Sequence, residues 1–233
     1  MMKKLSLFVV MLVAMTVGVK AQGHYILPTI GYNLSDVSVS NCKIEITGVM
    51  NLDAEDYLTS RFGFSAGLNY RYEFKKPFIV EAGVYYNNYG YGMKDIKEMG
   101  TKILWDYDLR ISHFSVPVMF GYKFVIGKSK KFSITPKVGL QFGSYLTVYE
   151  KFKYLDFTGE GEYDESYSFD DGFDVAEMVG VDFSWRLNEI LDIFVNVNNR
   201  FSFKNIVEDD YNDATMFNYT FGANVGVKVK VGK

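Results

Sequence analysis

The sequence predicts an all-β chain: an eight-stranded antiparallel up-and-down transmembrane β-barrel of the outer-membrane type, after a cleaved signal peptide. Three observations predict it. The first is strict alternation over residues 217–231: Phe217, Tyr219, Phe221, Ala223, Val225, Val227, Val229 and Val231 are apolar, and only Asn, Thr, Gly and Lys lie between them. A strand turns successive side chains to opposite faces, so this segment has one apolar and one polar face, and it is long enough to cross a hydrocarbon layer at a tilt. The second is that the pattern recurs eight times, with connections that alternate long and short. The third is where the charges fall. Arg71, Glu81, Lys137, Asp182 and Arg200 sit in mid-strand on the Gly-rich polar face.

Residues 1–21 read as a signal peptide and residues 22–233 as the barrel domain. Lys3 and Lys4 precede an apolar run from Leu5 to Val17, and Val19-Lys20-Ala21 offers small side chains at both key positions of a cleavage site. An uncleaved anchor helix is the rival reading, although the run is short for one. Cys42 lies far beyond the run, which argues against a lipoprotein. Sec-dependent export to the bacterial outer membrane, with both termini in the periplasm, is therefore expected.

Composition agrees with a closed sheet. There are 18 Tyr and 20 Phe but 4 Pro and 1 Cys, so disulfides cannot hold the fold. Closure gives every backbone group a partner and leaves no edge. Removing Lys3, Lys4 and Lys20 from the 25 basic residues leaves 22 against 28 acidic ones, a balance that argues against nucleic acid as a partner.

The first strand is read from Ile26 through Ile30, Tyr32 and Leu34, with Pro28 near its start; a polar stretch follows to about Ser60. The second alternates from Phe62 to Phe74, and Lys75-Lys76-Pro77 turns the chain into a third that begins at Phe78 and passes Tyr86. A loop is expected from about Gly92 to Trp105. In the fourth strand the apolar residues are odd-numbered through Ile111 and even-numbered from Phe114, which predicts a bulge near Ser112-His113 or an upper part outside the bilayer. The fifth places Phe132, Ile134, Val138, Leu140, Phe142, Leu146 and Val148 outward. Residues 149–174 form the longest and most acidic connection. Strand six is marked by Val175, Val179, Val181, Phe183 and Trp185, strand seven by Leu191, Ile193, Val195, Val197 and Phe201. A polar loop around Glu208-Asp209-Asp210 leads to the last strand.

A soluble lipocalin-like barrel would turn the apolar face inward, around a ligand. The five mid-strand charges argue for the opposite, a lumen-facing charge network with Phe and Tyr outward. An interior of eight strands is only wide enough for side chains to fill, so an ion-paired plug is expected and not an open pore.

The Ala-Gln that ends the signal, Gly31-Tyr32-Asn33-Leu34-Ser35 and the strand from Phe114 to Phe124, which contains Pro117, together resemble the PorT-like family of outer-membrane β-barrel-domain proteins. The resemblance covers essentially the whole mature chain. It implies an outer-membrane barrel, and it admits both a porin-family protein and an accessory component of a protein secretion system. Pro117 removes a ladder donor, so a bulge or local distortion is expected there.

The function expected is a small barrel with a filled lumen and long outer loops in a structural or surface-interaction role. A secretion accessory and a small-solute porin are the alternatives. Partners expected are outer-membrane lipid and lipopolysaccharide, the barrel-assembly machinery, and in the alternative secretion-system subunits. No enzyme and no cofactor is expected: His24 and His113 are far apart, and Ser112 and Ser115 beside His113 do not make a triad, since strand neighbours face opposite sides. Asp170-Asp171-Gly172-Phe173-Asp174 lacks the spacing of a calcium loop. Asn224, Gly226, Val229 and Val231 fit the polar-x-Gly-x-x-apolar-x spacing of a terminal assembly signal, with Val231 where an aromatic is usual.

Overall fold

The computed structural model describes residues 23–40, 43–46, 50–75, 77–97, 104–156, 159–167, 172–205 and 215–231. Residues 1–21, read above as a signal peptide, Cys42, Asp170, Asp171 and residues 208–210 lie outside them. Among the described residues there are twelve strands: β1 (Gly23–Ser40), β2 (Lys43–Ile46), β3 (Met50–Asp53), β4 (Leu58–Glu73), β5 (Phe78–Lys97), β6 (Leu104–Tyr122), β7 (Phe124–Ile126), β8 (Phe132–Asp156), β9 (Gly159–Tyr167), β10 (Phe173–Arg186), β11 (Leu191–Asn205) and β12 (Thr215–Val231). Eight of them close a ring in the order β10-β11-β12-β1-β4-β5-β6-β8, with β8 paired back to β10. Every pairing is antiparallel, and β12 closes on β1 from His24↔Val231 to Ser40↔Thr215.

One end of the ring has tight turns. Asn188 makes one of them, its Oδ1 accepting from the backbone N–H of Ile190 and of Leu191, both at 2.9 Å. Gly127 supplies a positive φ of 79° in another. Gly23 and Val231, the described ends of the chain, lie at this turn end.

The polar face is inside. Arg71, Glu81, Asp182, Arg200 and Lys228 are almost wholly buried, whereas Ile30, Phe62, Leu68, Val138, Val195, Phe221 and Val225 stand exposed on the outer wall. A globular protein in water would bury the second group. Aromatic pairs border this outer apolar band. Phe78 and Tyr122 meet edge to face at 5.3 Å near the turn end, and Phe64 and Tyr86 lie 5.6 Å apart further up.

At the other end the strands run higher than the alternation suggests. β5 continues to Lys97 and β6 begins at Leu104, so the segment read as a loop between Gly92 and Trp105 is largely a hairpin. The acidic connection is mostly strand as well: β8 runs on to Asp156 and β9 pairs back along it from Asp156↔Gly159 to Val148↔Tyr167. β5, β6, β8 and β9 thus form a raised sheet above the ring.

The irregularity at Ser112-His113 has a different cause from a flip of β6. The β6–β8 register does shift there, but the pairs Ser112↔Thr147 and His113↔Tyr145 place the extra residue, Leu146, on β8. Along β6, Leu109, Ile111, His113, Ser115 and Met119 all face inward without a break. What changes at Ile111 is the chemistry of the interior, which becomes apolar. Val148, expected outward, faces inward because it follows the bulge, and it is 1% exposed.

Pro117 brings no bulge. The β5–β6 pairing passes from Ala82↔Val118 to Tyr85↔Ser115 in unchanged register, with the steps at Pro117 and Val116 left out. Pro28 does the same on the β12 side of β1, where pairing passes from Ile26↔Val229 to Thr29↔Gly226. Each proline interrupts one ladder at the cost of local hydrogen bonds and leaves the register intact.

Candidate functional site: a lumen of neutral ionic layers

A buried charge is tolerated only when paired and hydrogen-bonded, so long cationic side chains in a narrow lumen must meet carboxylates from facing strands. The described lumen does this in three layers. Nearest the turn end, Lys228 of β12 lies 3.1 Å from Glu73 Oε1 and 2.6 Å from Asp192 Oδ2, and Lys123 lies 2.8 Å from Glu73 Oε2. Tyr25 covers this layer, its ring centroid 4.5 Å from the Lys228 ammonium.

The middle layer joins β4, β5, β8 and β10. Arg71 Nε donates to Glu81 Oε2 at 2.7 Å and its Nη2 bridges Glu81 and Asp182. Lys137 Nζ lies 3.0 Å from Glu81 Oε1 and 3.0 Å from Asp182 Oδ1. Asn196 Nδ2 donates to the same Asp182 oxygen at 2.7 Å. The result is a closed quartet of two cations and two anions.

Arg200, grouped with these four in the sequence reading, belongs to a separate upper layer. It pairs through Nη2 with Asp174, donates through Nε to Gln141 Oε1 at 2.6 Å and through Nη1 to Asn218 Oδ1 at 3.1 Å. Ser202 Oγ donates to the other Asp174 oxygen at 2.6 Å, and the Arg200 guanidinium lies 4.8 Å from the Tyr89 ring. Strand spacing explains the separation. The side chains of β11 that point inward climb from Asp192 through Asn196 to Arg200, one layer each.

Counted over the buried groups each layer balances on its own, Lys123 and Lys228 with Glu73 and Asp192, Arg71 and Lys137 with Glu81 and Asp182, Arg200 with Asp174; the half-exposed Arg186 lies 3.7 Å from Asp192 at the rim. Between the middle and upper layers lies a polar cavity of about 50 Å³, bordered by Asn33, Ser65, Asn87, Asn198 and Asn224. At about 10–15 Å³ per water centre it has room for about three to five waters.

Above the upper layer the interior turns apolar. Val37, Tyr91, Leu109, Ile111, Tyr145, Val148 and Met216, drawn from β1, β5, β6, β8 and β12, form one buried cluster across the ring. His113 sits just below it at 0% exposure, between the rings of Tyr89 and Tyr145 at 5.4 and 5.3 Å, and 3.8 Å from Asp174 Oδ2. Among the described residues no group of three or more His, Cys, Asp or Glu side chains is arranged to hold a metal.

Of the residues read as an assembly signal, Asn224 points into the lumen, where its Oδ1 accepts from Ser65 Oγ at 2.5 Å. Gly226 lies against the Pro28 carbonyl, which a Cβ would approach to 2.5 Å. Val229 and Val231 pair with Ile26 and His24 at the seam. Five charged lumen residues escaped the sequence reading of the network: Glu73, Lys123, Asp174, Asp192 and Lys228. All five lie in phase with the polar face of the strands as read from the sequence, Lys123 between Tyr122 and Phe124, which was the available signal.

An inverted sheet of this kind, closed by eight strands and filled by neutral ionic layers, is matched by a family assignment over residues 21–208. The chain belongs to the outer membrane protein beta-barrel domain family. No match to a curated protein was found. Among solved structures, OprG from Pseudomonas aeruginosa aligns over 92% of this chain and 99% of its own at 13% identity, with a TM-score of 0.51. That likeness shows the fold. Neisserial surface protein A aligns at 16% identity over 91% of this chain and 99% of its own, with a TM-score of 0.42. Ail of Yersinia pestis aligns at 17% identity over 88% of this chain and 98% of its own, with a TM-score of 0.33. The protein is thus a small outer-membrane β-barrel, and its exposed apolar band is the lipid-facing wall.

Proposed function

We propose that this barrel is a non-conducting membrane anchor that carries a raised sheet for interactions at the cell surface. The observation that carries the reading is the double seal of the lumen. Three charge-neutral layers bridge the ring, and an apolar cluster built on Leu109, Ile111 and Val148 covers them at the high-strand end. A solute would have to break ion pairs in a low-dielectric interior as well as pass an apolar constriction. The raised sheet of β5, β6, β8 and β9 stands on the same end, where outer-membrane barrels carry their extracellular segments, so the turn end and both termini face the periplasm. Planar-bilayer recording of the refolded protein tests the seal: no steady open level is expected, and a stable large conductance would make it a porin. A deletion strain with altered secreted proteins would instead support the secretion-accessory role implied by the PorT-like resemblance.

A further inference from the structure

We infer that the outer wall of the raised sheet holds a binding groove for the phosphate groups of an outer-leaflet glycolipid. The groove encloses about 450 Å³ where β4, β5, β6 and β8 meet. Its cations are Arg61, Lys94, Arg110, Lys151 and Lys153; the acidic residues lining it are Asp106 and Asp108. Register explains the cluster. Arg110, Asp108 and Asp106 alternate with the inward-facing Leu109 and Tyr107, so they point outward, and Asp108↔Lys151 and Asp106↔Lys153 are cross-strand neighbours.

The anions present, with Asp164 of β9 opposite Lys151 and Asp106 opposite Lys153, are shared among the cations and leave Lys94, Arg110 and Lys153 exposed. Asp108 alone serves two arginines, Arg61 at 2.8 Å and Arg110 at 2.9 Å. Glu162 of β9 pairs with Lys151 and lies 3.8 Å from Lys153. Arg110 and Lys153 remain 45% and 55% exposed, on the face that points away from the barrel axis. The exposed Arg110 guanidinium with the Lys94 and Lys153 ammonium groups suits phosphate oxygens, which arginine binds in pairs and lysine as a point charge, while Arg61 is held by Asp108, Asn88 and the Tyr89 carbonyl.

Height decides which phosphate. On the outer face of β6, Phe114 is the last exposed apolar residue among the described side chains, followed by Ser112 and then Arg110. Four residues at about 3.3 Å each set Arg110 roughly 13 Å along a tilted strand above the lipid-facing band. At a tilt of about 40° that is a rise of about 10 Å, just beyond the polar region of about 5–8 Å on either side of the hydrocarbon, and the long Arg110 side chain can reach back to headgroup level. Phe62, 76% exposed, lines the groove and continues into that band, so one ligand can touch both its phosphate site and its acyl wall. A phosphorylated glycolipid of the surrounding leaflet has this shape; a soluble polyanion has no use for the apolar floor.

The assignment rests on the proposed orientation, with the high-strand end outside. Native mass spectrometry of the refolded protein with EDTA present, titrated with a bisphosphorylated diacyl glycolipid, its dephosphorylated form and inorganic pyrophosphate, provides the test. The wild type is expected to bind the bisphosphorylated lipid at least tenfold more tightly than the dephosphorylated one. The variant Arg110→Ala/Lys151→Ala/Lys153→Ala loses that preference. Lys130→Glu, a charge reversal at the turn end, keeps it. Heat-dependent gel migration confirms that each variant is folded. Equal binding of both lipids by the wild type, or an unchanged preference in the triple variant, overturns the inference. Pyrophosphate binding as tight as the lipid also overturns it, in favour of a free anion. Protease accessibility of the raised sheet on intact cells separates a failure of the groove from a failure of the orientation.

Discussion

Replacing Arg71 with methionine removes one cation from the middle quartet while keeping most of its length. The change leaves Glu81 and Asp182 facing Lys137 alone, so a neutral layer becomes a buried net anion. Arg71 holds each carboxylate by at least one charged hydrogen bond, at 2.7 Å from Nε to Glu81 in the clearest case. Bonds of that class contribute about 1.5–3 kcal/mol each. Two of them, with an uncompensated charge left behind, give an expected loss of about 3–5 kcal/mol, the range for breaking one side of a buried ion pair. Equilibrium urea unfolding in phospholipid vesicles, followed by the mobility difference between folded and unfolded barrel on unheated gels, measures it. The companion variant Arg71→Met/Glu81→Gln/Lys137→Met/Asp182→Asn removes all four charges together and should stay within about 2 kcal/mol of the wild type, because no charge is stranded. A loss below about 1 kcal/mol for Arg71→Met alone would refute the layer-by-layer neutrality.

Three further outcomes follow from single positions. Gly90 has a φ of 149°, and a Cβ there would stand 1.9 Å from the Leu109 carbonyl oxygen; Gly127 has a φ of 79° with open space around it. Gly90→Ala should therefore cost more than Gly127→Ala, which should cost about 1–2 kcal/mol from the backbone conformation alone; equal losses by the same unfolding assay would contradict this. His113 is packed between two rings and neither ring nitrogen makes a hydrogen bond among the described residues. His113→Phe should thus change stability by less than about 1 kcal/mol, and a loss of 3 kcal/mol would mean that the imidazole has a polar role. On the raised sheet, the hydrogen bond from Lys151 lowers the Glu162 carboxyl below its ordinary value, and the same contact raises Lys151. A lowered carboxyl keeps its contribution above the ordinary value and loses it as pH falls through the lowered one. Carbon-detected NMR titration should place the Glu162 midpoint below that of an unpaired glutamate, and Lys151→Ala should bring it back up.

The fold was legible because lipid and lumen impose opposite chemistry on alternate residues over the same ten or so positions. Leu68, Asn69, Tyr70 and Arg71 show it in four letters. Legibility ended where the lipid ends. Above the band the outer face meets water and the inner face closes on itself, so Gly92, Lys94, Asp108 and Arg110 point outward while Tyr91, Leu109 and Ile111 point inward. The rule reverses, and both readings of the parity change, a bulge and an upper part outside the bilayer, meet at this level, but the alternation gives neither the true height of β5 and β6 nor the apolar cluster. The bulge was visible, but its location on β8 was not, because a slip between two strands does not say which carries the extra residue. The same limit separated Arg200 from its expected group: periodicity gives the face of a strand and says nothing of the height at which facing strands meet. Glu177, exposed on the outer face of β10 between Val175 and Val179, stayed unremarked because the surrounding alternation reads well without it.

The central claim is that the polar face is inside and packed shut while the apolar face meets lipid. Spin-label accessibility along β5 tests both parts at once, with Cys42→Ser as background and single cysteines at Ala82, Val84, Tyr85, Tyr86 and Asn87 in vesicles. Labels at Ala82, Val84 and Tyr86 should collide freely with oxygen and little with a water-soluble nickel chelate. Labels at Tyr85 and Asn87 should be shielded from both. Chelate access at Tyr85 and Asn87 would mean an open aqueous lumen, and oxygen access at those two sites with shielding at the even ones would turn the barrel inside out.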